Sequence, residues 1–489
     1  MNASLLFGAA FVHLSLIALS VEQEPATDLS KLKVNELFEE LCSTCHGKKL
    51  EGGQGGSLID GEWKHGAGDE DIVRSITKGN LQLGMTPWES VLSADQIRAL
   101  MIYIREKEKE AVTKGIQYPK PEPGKVTKTQ HESYELEVLV EEGLDNPWAI
   151  GFLPDGRKLV TEKVTGQLRV IEADGSLHPD PVRDVPEVMA FGQGGMLEVA
   201  VHPNYASNGW IYLAFADGWN EEVKGEKKSK RHALTAVVRG RLKDYRWIDQ
   251  QWIFRGNGKF YSSAGVHFGT RIVFDQGYIY FVVGERGAMM DVQDVGLPTG
   301  KIFRLHEDGR VPQDNPFVDN EDALPGIWSY GHRNPQGLDK DPRNGDLLST
   351  EHGPRGGDEL NLIKKGANYG WPIITFGMNY DGTPMTSKTH EKGMEQPLTY
   401  WVPSIATCGL DFYNGDQFPN WSNDLLVGAL RQQEVRRLRI KNRQVVEEEV
   451  ILKGVGRVRD VADGPDGMIY VLLNDPDTVI RLKPAKIAE

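Results

Sequence analysis

The stretch Ile272-Val273-Phe274-Asp275-Gln276-Gly277, followed by Ile279-Tyr280-Phe281, decides the fold of this chain. Two apolar runs are separated by a short polar turn that ends in glycine, a pattern typical of a β-hairpin. The same unit of strand, turn and strand returns along the chain at Phe152, Val201, Leu338, Leu410 and Ala462. The chain is therefore built largely from repeated hairpins.

The number of hairpin units predicts the architecture. Six units spaced irregularly at roughly 50 to 70 residues indicate a mainly β fold, a six-bladed β-propeller. A β-sandwich or a β-helix is the alternative, but a single sandwich holds fewer such hairpins. A high glycine content, 54 of 489 residues, agrees with many turns. The functional residues of a propeller are expected in the loops around the mouth of its central channel.

A second motif lies far upstream of the hairpins. Cys42-Ser43-Thr44-Cys45-His46 has the Cys-x-x-Cys-His spacing at which a c-type haem is covalently attached. The thiols of Cys42 and Cys45 would bond to the haem vinyl groups, and His46 would bind the iron. A metal-binding or redox-active pair of cysteines is the alternative, because the motif is short.

Two amphipathic helices flank this motif in the sequence. Val34, Leu37, Phe38 and Leu41 follow helical spacing up to Cys42. Downstream, Ser93 and Gln96 form a capping box ahead of a second apolar stripe that begins at Ile97. Residues 28–110 resemble the small class I cytochromes c, in which two such helices pack together. The chain is therefore expected to begin with a small all-α cytochrome c domain.

The resemblance also implies a distal iron ligand. Met85 lies in Gly84-Met85-Thr86-Pro87-Trp88, which is similar to the loop that presents the methionine thioether in those cytochromes. A methionine opposite the histidine raises the haem potential and suits electron transfer. His65 is the rival distal ligand.

The N-terminus predicts export from the cytoplasm. Residues 5–21 are nearly all apolar and precede a polar stretch, so residues 1–23 are interpreted as a secretory signal peptide. Haem attachment of this kind also occurs outside the bacterial cytoplasm, and we expect a periplasmic or secreted protein. No Lys or Arg precedes the apolar run, so a retained membrane anchor is the alternative, and membrane association is expected only in that case.

Composition bounds the partners and the domain structure. The formal net charge of −14 argues against nucleic acid or anionic lipid as the main partner. Only three cysteines are present, so no disulfide framework is expected. Prolines between residues 118 and 124 predict a stiff linker over residues 111–133. Residues 134–489 then form the propeller domain.

Two loop motifs of the hairpin region carry a second resemblance. They are Tyr330-Gly331-His332-Arg333-Asn334-Pro335-Gln336-Gly337 and Glu351-His352-Gly353-Pro354-Arg355-Gly356-Gly357-Asp358-Glu359. Over about residues 140–485 the chain resembles the soluble glucose and aldose sugar dehydrogenases that depend on pyrroloquinoline quinone (PQQ). The family members are six-bladed propellers, which agrees with the fold predicted from the hairpins.

The resemblance implies a PQQ site. PQQ is a planar tricarboxylate quinone, and Arg is the side chain that binds carboxylates with two parallel hydrogen bonds. Arg431, Arg457 and Arg459 match the positions of the family's carboxylate clamp. Asn334 belongs to the same site, and Trp401 is expected to stack on the quinone face.

The resemblance further implies calcium. The main-chain carbonyls of Gly353 and Pro354 match those that hold a Ca²⁺ ion beside PQQ in the family, and such oxygen ligands suit this hard cation. Asp358, Glu359 and Tyr369 resemble a second, structural Ca²⁺ site.

The catalytic residues follow from the same resemblance. His267 is expected to act as the base that takes a proton from the anomeric hydroxyl while hydride leaves C1 for the quinone. Arg333 is expected to stabilise the charge that develops on the quinone oxygen. Gln193 matches a ligand of the substrate hydroxyl, and Glu285 either orients His267 or binds substrate.

These expectations combine into one function. The resemblance implies a quinohaemoprotein that oxidises an aldose to its lactone and passes the electrons to its own haem and then to a downstream acceptor such as a cytochrome or an oxidase. Two alternatives stay open. One is a cytochrome fused to a propeller that binds a ligand without PQQ activity. The other is a PQQ dehydrogenase of a non-sugar alcohol or of a sugar-derived substrate.

Overall fold

The computed structural model describes residues 28–114, 121–223 and 229–485 of the chain. The predicted signal peptide therefore lies outside the described residues. None of the helices within these ranges is long and apolar enough to cross a lipid bilayer.

The N-terminal part is a small helical domain, as predicted. Its helices are α1 (Val34–Leu41), α2 (Ser43–His46), α3 (Asp69–Lys78) and α4 (Ala94–Lys114). The predicted capping box opens α4: the Ser93 backbone N–H donates to Gln96 over 2.9 Å, and the Gln96 N–H donates to the Ser93 hydroxyl over 3.2 Å. The apolar stripes of α1 and α4 pack into one buried core.

The rest of the chain forms six antiparallel sheets, which confirms the six-bladed propeller. A short helix α5 (Tyr205–Asn208) precedes the second strand of blade two. The strands of blades one to three are β3 (Pro147–Phe152), β4 (Lys158–Glu162), β5 (Gln167–Ile171); β6 (Met196–Val201), β7 (Ile211–Glu221), β8 (Lys230–Lys243), β9 (Arg246–Phe254); and β10 (Ile272–Asp275), β11 (Tyr278–Val283), β12 (Lys301–His306), β13 (Ile327–Tyr330).

Blades four to six follow the same order along the chain. Their strands are β14 (Pro335–Lys340), β15 (Leu347–Glu351), β16 (Asp358–Ile363), β17 (Thr399–Trp401); β18 (Thr407–Phe412), β19 (Leu425–Ala429), β20 (Glu434–Lys441), β21 (Gln444–Lys453); and β22 (Arg457–Asp463), β23 (Ile469–Asn474), β24 (Thr478–Pro484). Each predicted hairpin unit corresponds to the first two strands of one blade.

The ring closes through pairing of the two ends of the propeller. Strands β1 (Val126–Lys128) and β2 (Ser133–Val140) add to blade six, where β2 runs antiparallel to β24. The predicted linker 111–133 is thus too long at both ends, because α4 continues to Lys114 and β1 already belongs to a sheet. The sheet pairing of β1 could not be read from its polar sequence.

The first strands of the blades line the centre of the ring. Each contacts the first strand of the next blade, from β3 through β6, β10, β14, β18 and β22 back to β3. Apolar side chains fill the space between neighbouring blades, as in the cluster that joins Leu234 of blade two to Ile279 and Phe303 of blade three. This arrangement leaves the loops at the two ends of the ring to carry polar chemistry.

The helical domain is packed against blade four. Met378 and Val402 of the propeller belong to the same apolar cluster as α1 and α4, and Met378 is fully buried there. Glu106 of α4 forms an ion pair with Arg355 over 2.7 Å. The two domains are therefore packed against each other through apolar side chains and an ion pair.

Candidate active site at the propeller mouth

The predicted site residues of the propeller lie mostly in two kinds of loop. Gln193, His267, Arg333 and Asn334 immediately precede the first strands of their blades, and Glu285 and the pair Gly353–Pro354 lie between second and third strands. Because successive strands of a blade are antiparallel, these two kinds of loop open on the same end of the ring. The fold thus gathers residues that are far apart in sequence.

His267 is held by two neighbours. Its ring Nδ1 is hydrogen-bonded to the carboxylate of Glu285, and its backbone N–H donates to the Gln193 side-chain oxygen over 2.8 Å. Glu285 itself is almost completely buried and also accepts the Met289 backbone N–H over 2.7 Å. Of the two roles expected for Glu285, the geometry favours orienting His267. With Nδ1 engaged, Nε2 is the nitrogen left for chemistry.

The charge state of His267 follows from its surroundings. Burial lowers the pKa of His267 below its ordinary value, and the positive charge of Arg333 lowers it further, whereas the hydrogen bond that Nδ1–H donates to the Glu285 carboxylate raises it. The pKa of Glu285 is held below its usual range mainly by His267, although burial works in the opposite direction. His267 is therefore neutral near pH 7, which is the state a general base requires.

Arg333 and Asn334 form the wall of the propeller mouth next to His267. The Arg333 guanidinium donates to the His352 carbonyl over 3.1 Å, while its buried Nε has no hydrogen-bond partner among the described residues. The Asn334 side-chain oxygen accepts the Gly269 N–H over 3.1 Å, which ties this wall to the loop of His267. An unsatisfied buried guanidinium N–H is the kind of donor that a bound anionic ligand would satisfy.

Cationic side chains converge on one side of the mouth. Burial lowers the pKa of Arg459, and the positive charges of Arg271 and Arg457 act in the same direction. Lys163, in the loop between the second and third strands of blade one, has its pKa lowered by burial and by Arg459 and Arg457. This cluster of mutually repelling cations fits a tricarboxylate, whose charge would relieve the repulsion.

Lys163 was not predicted from the sequence. It follows a strand that looked purely structural, and only the ring closure brings blade one beside Arg457 and Arg459 of blade six. Arg431, by contrast, is exposed just after β19, and its backbone N–H donates to the Ile405 carbonyl over 3.0 Å. Its role as a third clamp residue stays a prediction.

The loop of Gly353 and Pro354 is fixed by Asp358. The Asp358 carboxylate accepts the Gly353 N–H over 3.0 Å, the Ser404 hydroxyl over 2.8 Å and the Ala406 N–H over 2.6 Å. Both oxygens of this buried carboxylate are therefore engaged by protein donors. Asp358 is thus a loop anchor, and its predicted role as a ligand of a second Ca²⁺ does not agree with these contacts.

The other two residues predicted for that calcium site have hydrogen-bond partners of their own within the protein. The Glu359 carboxylate accepts from Asn361 over 3.0 Å, and the Tyr369 hydroxyl donates to the Leu362 carbonyl over 2.6 Å. Burial raises the pKa of Glu359 to about 8. No group of three or more His, Cys, Asp or Glu side chains suited to a metal ion occurs in the described part of the chain.

Trp401 does not line the mouth, so the prediction that it stacks on a quinone is wrong. It lies on the outermost strand of blade four, packs in the apolar cluster between blades four and five, and donates its ring N–H to Glu448 over 2.9 Å. Trp371 does lie beside the site, with its ring centroid 5.2 Å from the Arg333 guanidinium carbon. Trp148 similarly lies beneath Arg459, at 5.8 Å.

The predicted haem ligands lie in the helical domain. Cys42 and Cys45 form no disulfide in the described part of the chain, and His46 Nδ1 lies 2.9 Å from the Gly56 carbonyl, which leaves Nε2 for an iron ion. Met85 is held in its loop by paired backbone hydrogen bonds with Asn80. The rival ligand His65 is exposed.

The apolar surroundings of these residues also suit a haem. Several apolar side chains next to the helical core remain only half-buried, as expected where a prosthetic group would cover them. They are Leu58, Ile59, Trp63, Met85 and Trp88. The residues present therefore fit the predicted c-type haem.

Comparison with known proteins agrees with this organisation. A family model described as glucose/sorbosone dehydrogenase matches residues 144–481, and one described as cytochrome c oxidase, cbb3-type, subunit III matches residues 31–104. The chain is 41% identical to the aldose sugar dehydrogenase YliI of Escherichia coli over 346 residues, 70% of this chain and 90% of that protein.

Two further relatives have names that mention the quinone. Quinoprotein glucose dehydrogenase B of Acinetobacter calcoaceticus is 28% identical over 72% of this chain and 88% of its own length. The PQQ-bound structure of an aldose sugar dehydrogenase from Streptomyces coelicolor superposes with a TM-score of 0.57 and 26% identity, covering 72% of this chain and 98% of that one. The chain thus belongs to the glucose/sorbosone dehydrogenase family, and an N-terminal cytochrome c domain precedes its propeller.

Proposed function

We propose that this protein is a quinohaemoprotein that oxidises an aldose at C1 to its lactone, with PQQ in the propeller and a covalently attached haem c as electron acceptors. The observation that carries the proposal is the arrangement of a neutral His267, fixed by Glu285, facing Arg333 and beside a cluster of cations. A binding module would not need a buried base oriented by a carboxylate.

The side chains of the mouth have distinct tasks in this reaction. His267 Nε2 receives the proton of the anomeric hydroxyl, and Glu285 stabilises the imidazolium that results. Gln193, whose side-chain oxygen is engaged by the His267 N–H, presents its amide N–H₂ to a sugar hydroxyl. PQQ, when bound, would supply the two-electron acceptor for the hydride that leaves C1.

The cationic residues would hold the cofactor. Arg457, Arg459 and Lys163 would bind its carboxylates, with Arg431 as a further clamp residue. Arg333 would stabilise negative charge at the reacting end. We also propose that the carbonyls of Gly353 and Pro354 bind Ca²⁺ there, because Asp358 holds this loop in place.

The cytochrome domain extends the proposal beyond the propeller. His46 and Met85 would be the iron ligands, and the haem would pass electrons to an external acceptor. We propose export to the periplasm or beyond, as the apolar stretch at residues 5–21 predicts.

The test is a reduction of the protein's own haem by sugar. The purified haem protein is loaded with PQQ and Ca²⁺ and mixed anaerobically with a panel of aldoses, while the absorption band of the reduced haem is followed. We expect reduction that requires both sugar and PQQ. Bound PQQ with no reduction by any aldose would contradict the proposed substrate class or the internal electron route, and failure to bind PQQ would favour a binding module.

A pair of histidine variants makes the test specific. His267→Ala is expected to retain PQQ binding and to lower turnover by about 10² or more. The control is His178→Ala, because His178 stacks on Tyr245 in a turn at the opposite end of the ring. Sugar turnover that survives His267→Ala would show that another group acts as the base.

A further inference from the structure

One segment of blade four touches both the catalytic mouth and the cytochrome domain. It belongs to the long connection between β16 and β17, and residues 376–382 of this connection are called the strap here. The ring centroid of Tyr380 lies 5.9 Å from the guanidinium carbon of Arg333. Two residues earlier, Met378 is fully buried in the core of the cytochrome domain.

The cytochrome domain contacts the strap, directly or through Arg355, on both sides of Tyr380. Ahead of it, Met378 pairs with Arg355 through two backbone hydrogen bonds of 2.9 Å, and Arg355 forms an ion pair with Glu106 of α4. Behind it, the Gly382 carbonyl accepts the backbone N–H of Val34, the first residue of α1, over 2.9 Å. The docked domain therefore contacts the strap on both sides of Tyr380.

The cytochrome domain also contacts the connection beyond the strap. The Ser387 backbone N–H donates to the Asp95 carboxylate at the start of α4 over 2.6 Å. Asp95 of α4 thus contacts the connection directly, whereas Glu106 of the same helix reaches it through Arg355, whose backbone pairs with Met378. Neither residue touches the catalytic side chains described above, so both are positioning residues.

Tyr380 itself has the properties of a ligand-contact residue. Its side chain is 69% exposed although it lies beside the almost fully buried Arg333. An exposed aromatic ring at the edge of a polar cleft offers an apolar face for the C–H groups of a sugar ring and a hydroxyl for its O–H groups. The strap presents this ring at the mouth, where a substrate would extend away from its reacting carbon.

We propose that Tyr380 is a specificity-determining residue that contacts the sugar, and that docking of the cytochrome domain positions it through the strap. The inference rests on the proposed function and deepens it, because it assigns the outer wall of the substrate site. The cytochrome domain then contributes to sugar binding as well as to electron transfer. Weaker docking should raise KM for the sugar without changing the chemistry at His267.

The direct test is the kinetics of the full chain with D-glucose, D-xylose and maltose and an external dye as electron acceptor. Tyr380→Ala is expected to raise KM about three- to tenfold with little change in kcat, because one aromatic contact is lost. Tyr380→Phe retains the ring and should keep KM within about twofold. An unchanged KM for all three sugars in Tyr380→Ala would overturn the specificity role.

The coupling is tested with residues of the cytochrome domain. The double variant Asp95→Asn/Glu106→Gln weakens the contact of Asp95 with Ser387 and the ion pair of Glu106 with Arg355, and it is expected to raise KM in the same direction as Tyr380→Ala. The control is Glu110→Gln, an exposed residue of the same helix whose partner is Lys107. A double variant with the KM of the control would overturn the coupling.

A measurement independent of turnover completes the test. Hydrogen–deuterium exchange of the strap in the PQQ-free chain should be faster in the double variant than in Glu110→Gln. Equal exchange in both would show that the domain does not hold the strap. If the unmodified chain oxidises no aldose, the proposed function fails, whereas an active chain with an insensitive Tyr380 rejects only this inference.

Discussion

The imidazole of His267 is fixed by side chains from two blades. Glu285 of blade three engages its Nδ1, and Gln193 ahead of blade two engages its backbone N–H. His267 also has a positive φ of 52°, which is uncommon for a residue with a side chain. His267 is therefore positioned by contacts on both its ring and its backbone.

The pH dependence of sugar oxidation should report this arrangement. Because the pKa of His267 is lowered, the acid limb of kcat/KM should lie below pH 6.5, the ordinary value of the group. Glu285→Gln removes the carboxylate that raises this pKa, so the limb should move to still lower pH. The maximal rate should fall about tenfold or more, because the ring tautomer is no longer fixed.

The conservative variant Glu285→Asp provides the comparison. It retains a carboxylate, so its acid limb should lie closer to that of the unmodified chain than the limb of Glu285→Gln does. Rates of dye reduction measured between about pH 4.5 and pH 8 would give the acid limbs of the two variants and of the unmodified chain. An acid limb that moves to higher pH in Glu285→Gln would contradict the assignment of Glu285 as the partner of His267.

The sequence predicted single residues well where they belong to long motifs and less well elsewhere. His267, Arg333 and Asn334 lie at the mouth as expected, whereas Trp401 packs between blades. A tryptophan on a strand has the same sequence signature whether it faces the channel or a neighbouring blade. Lys163 belongs to no recognisable motif, and its position at the mouth follows only from the closure of the ring, which brings blade one beside blade six.

At the scale of elements, the hairpin pattern was the most informative signal. Each predicted unit is the first hairpin of a blade, because its two strands are rich in apolar residues and are joined by a turn that contains Pro, Asp or Gly. The outer strands were not recognised, since strands such as β20 and β21 carry many charged residues. The helices of the cytochrome domain were predicted from their apolar stripes and capping box.

The loop between β15 and β16 offers a test at this scale. Asp358→Asn replaces one acceptor oxygen of the buried carboxylate with a donor that faces other N–H groups. We expect a loss of about 1–3 kcal/mol of stability for the unsatisfied donors, together with weaker PQQ binding through the loosened Gly353–Pro354 loop. Thermal melting and PQQ titration of the same preparation would measure both effects.

The neighbouring residue provides a matched control. The pKa of Glu359 is raised to about 8, so this carboxyl is mostly protonated at pH 7 in the metal-free chain. Glu359→Gln should therefore change stability by less than Asp358→Asn under calcium-free conditions. Equal losses in the two variants would show that Asp358 has no special role in the loop.

At the scale of the whole molecule, closure of the ring and docking of the domains depend on contacts between distant parts of the chain. Strand β2 pairs with β24, and Glu106 pairs with Arg355. Neither contact has a local sequence pattern, because each partner looks like an ordinary strand or surface residue by itself. The sequence could therefore predict the parts, but not how they are joined.

The centre of the ring contains an ion cluster that joins several blades. Arg271, just before β10, forms ion pairs of 3.0 Å with Glu198 of blade two and with Asp460 of blade six. It also donates to the Gln336 carbonyl of blade four over 2.8 Å. All three charged side chains are buried, so the cluster replaces apolar packing along the axis.

Removal of the central cation should destabilise the propeller strongly. Arg271→Met leaves Glu198 and Asp460 buried without their partner, which typically costs about 3–5 kcal/mol. The control is Arg443→Met, because Arg443 is an exposed partner of Asp346 and such pairs contribute about 1 kcal/mol or less. Urea titrations followed by near-ultraviolet circular dichroism would report the propeller, and the haem absorption would report the cytochrome domain separately.

The loss of stability in Arg271→Met should also depend on pH, and the direction of that dependence identifies its cause. Burial already raises the pKa of Glu198 to about 7, and loss of the Arg271 charge should raise the pKa of both carboxyls further. The folded variant then binds protons more tightly than the unfolded chain, so its stability falls as pH rises. The deficit of Arg271→Met should therefore be larger at pH 8 than at pH 6. A deficit independent of pH would indicate lost packing of the arginine side chain, and not unpaired buried charge, as the cause.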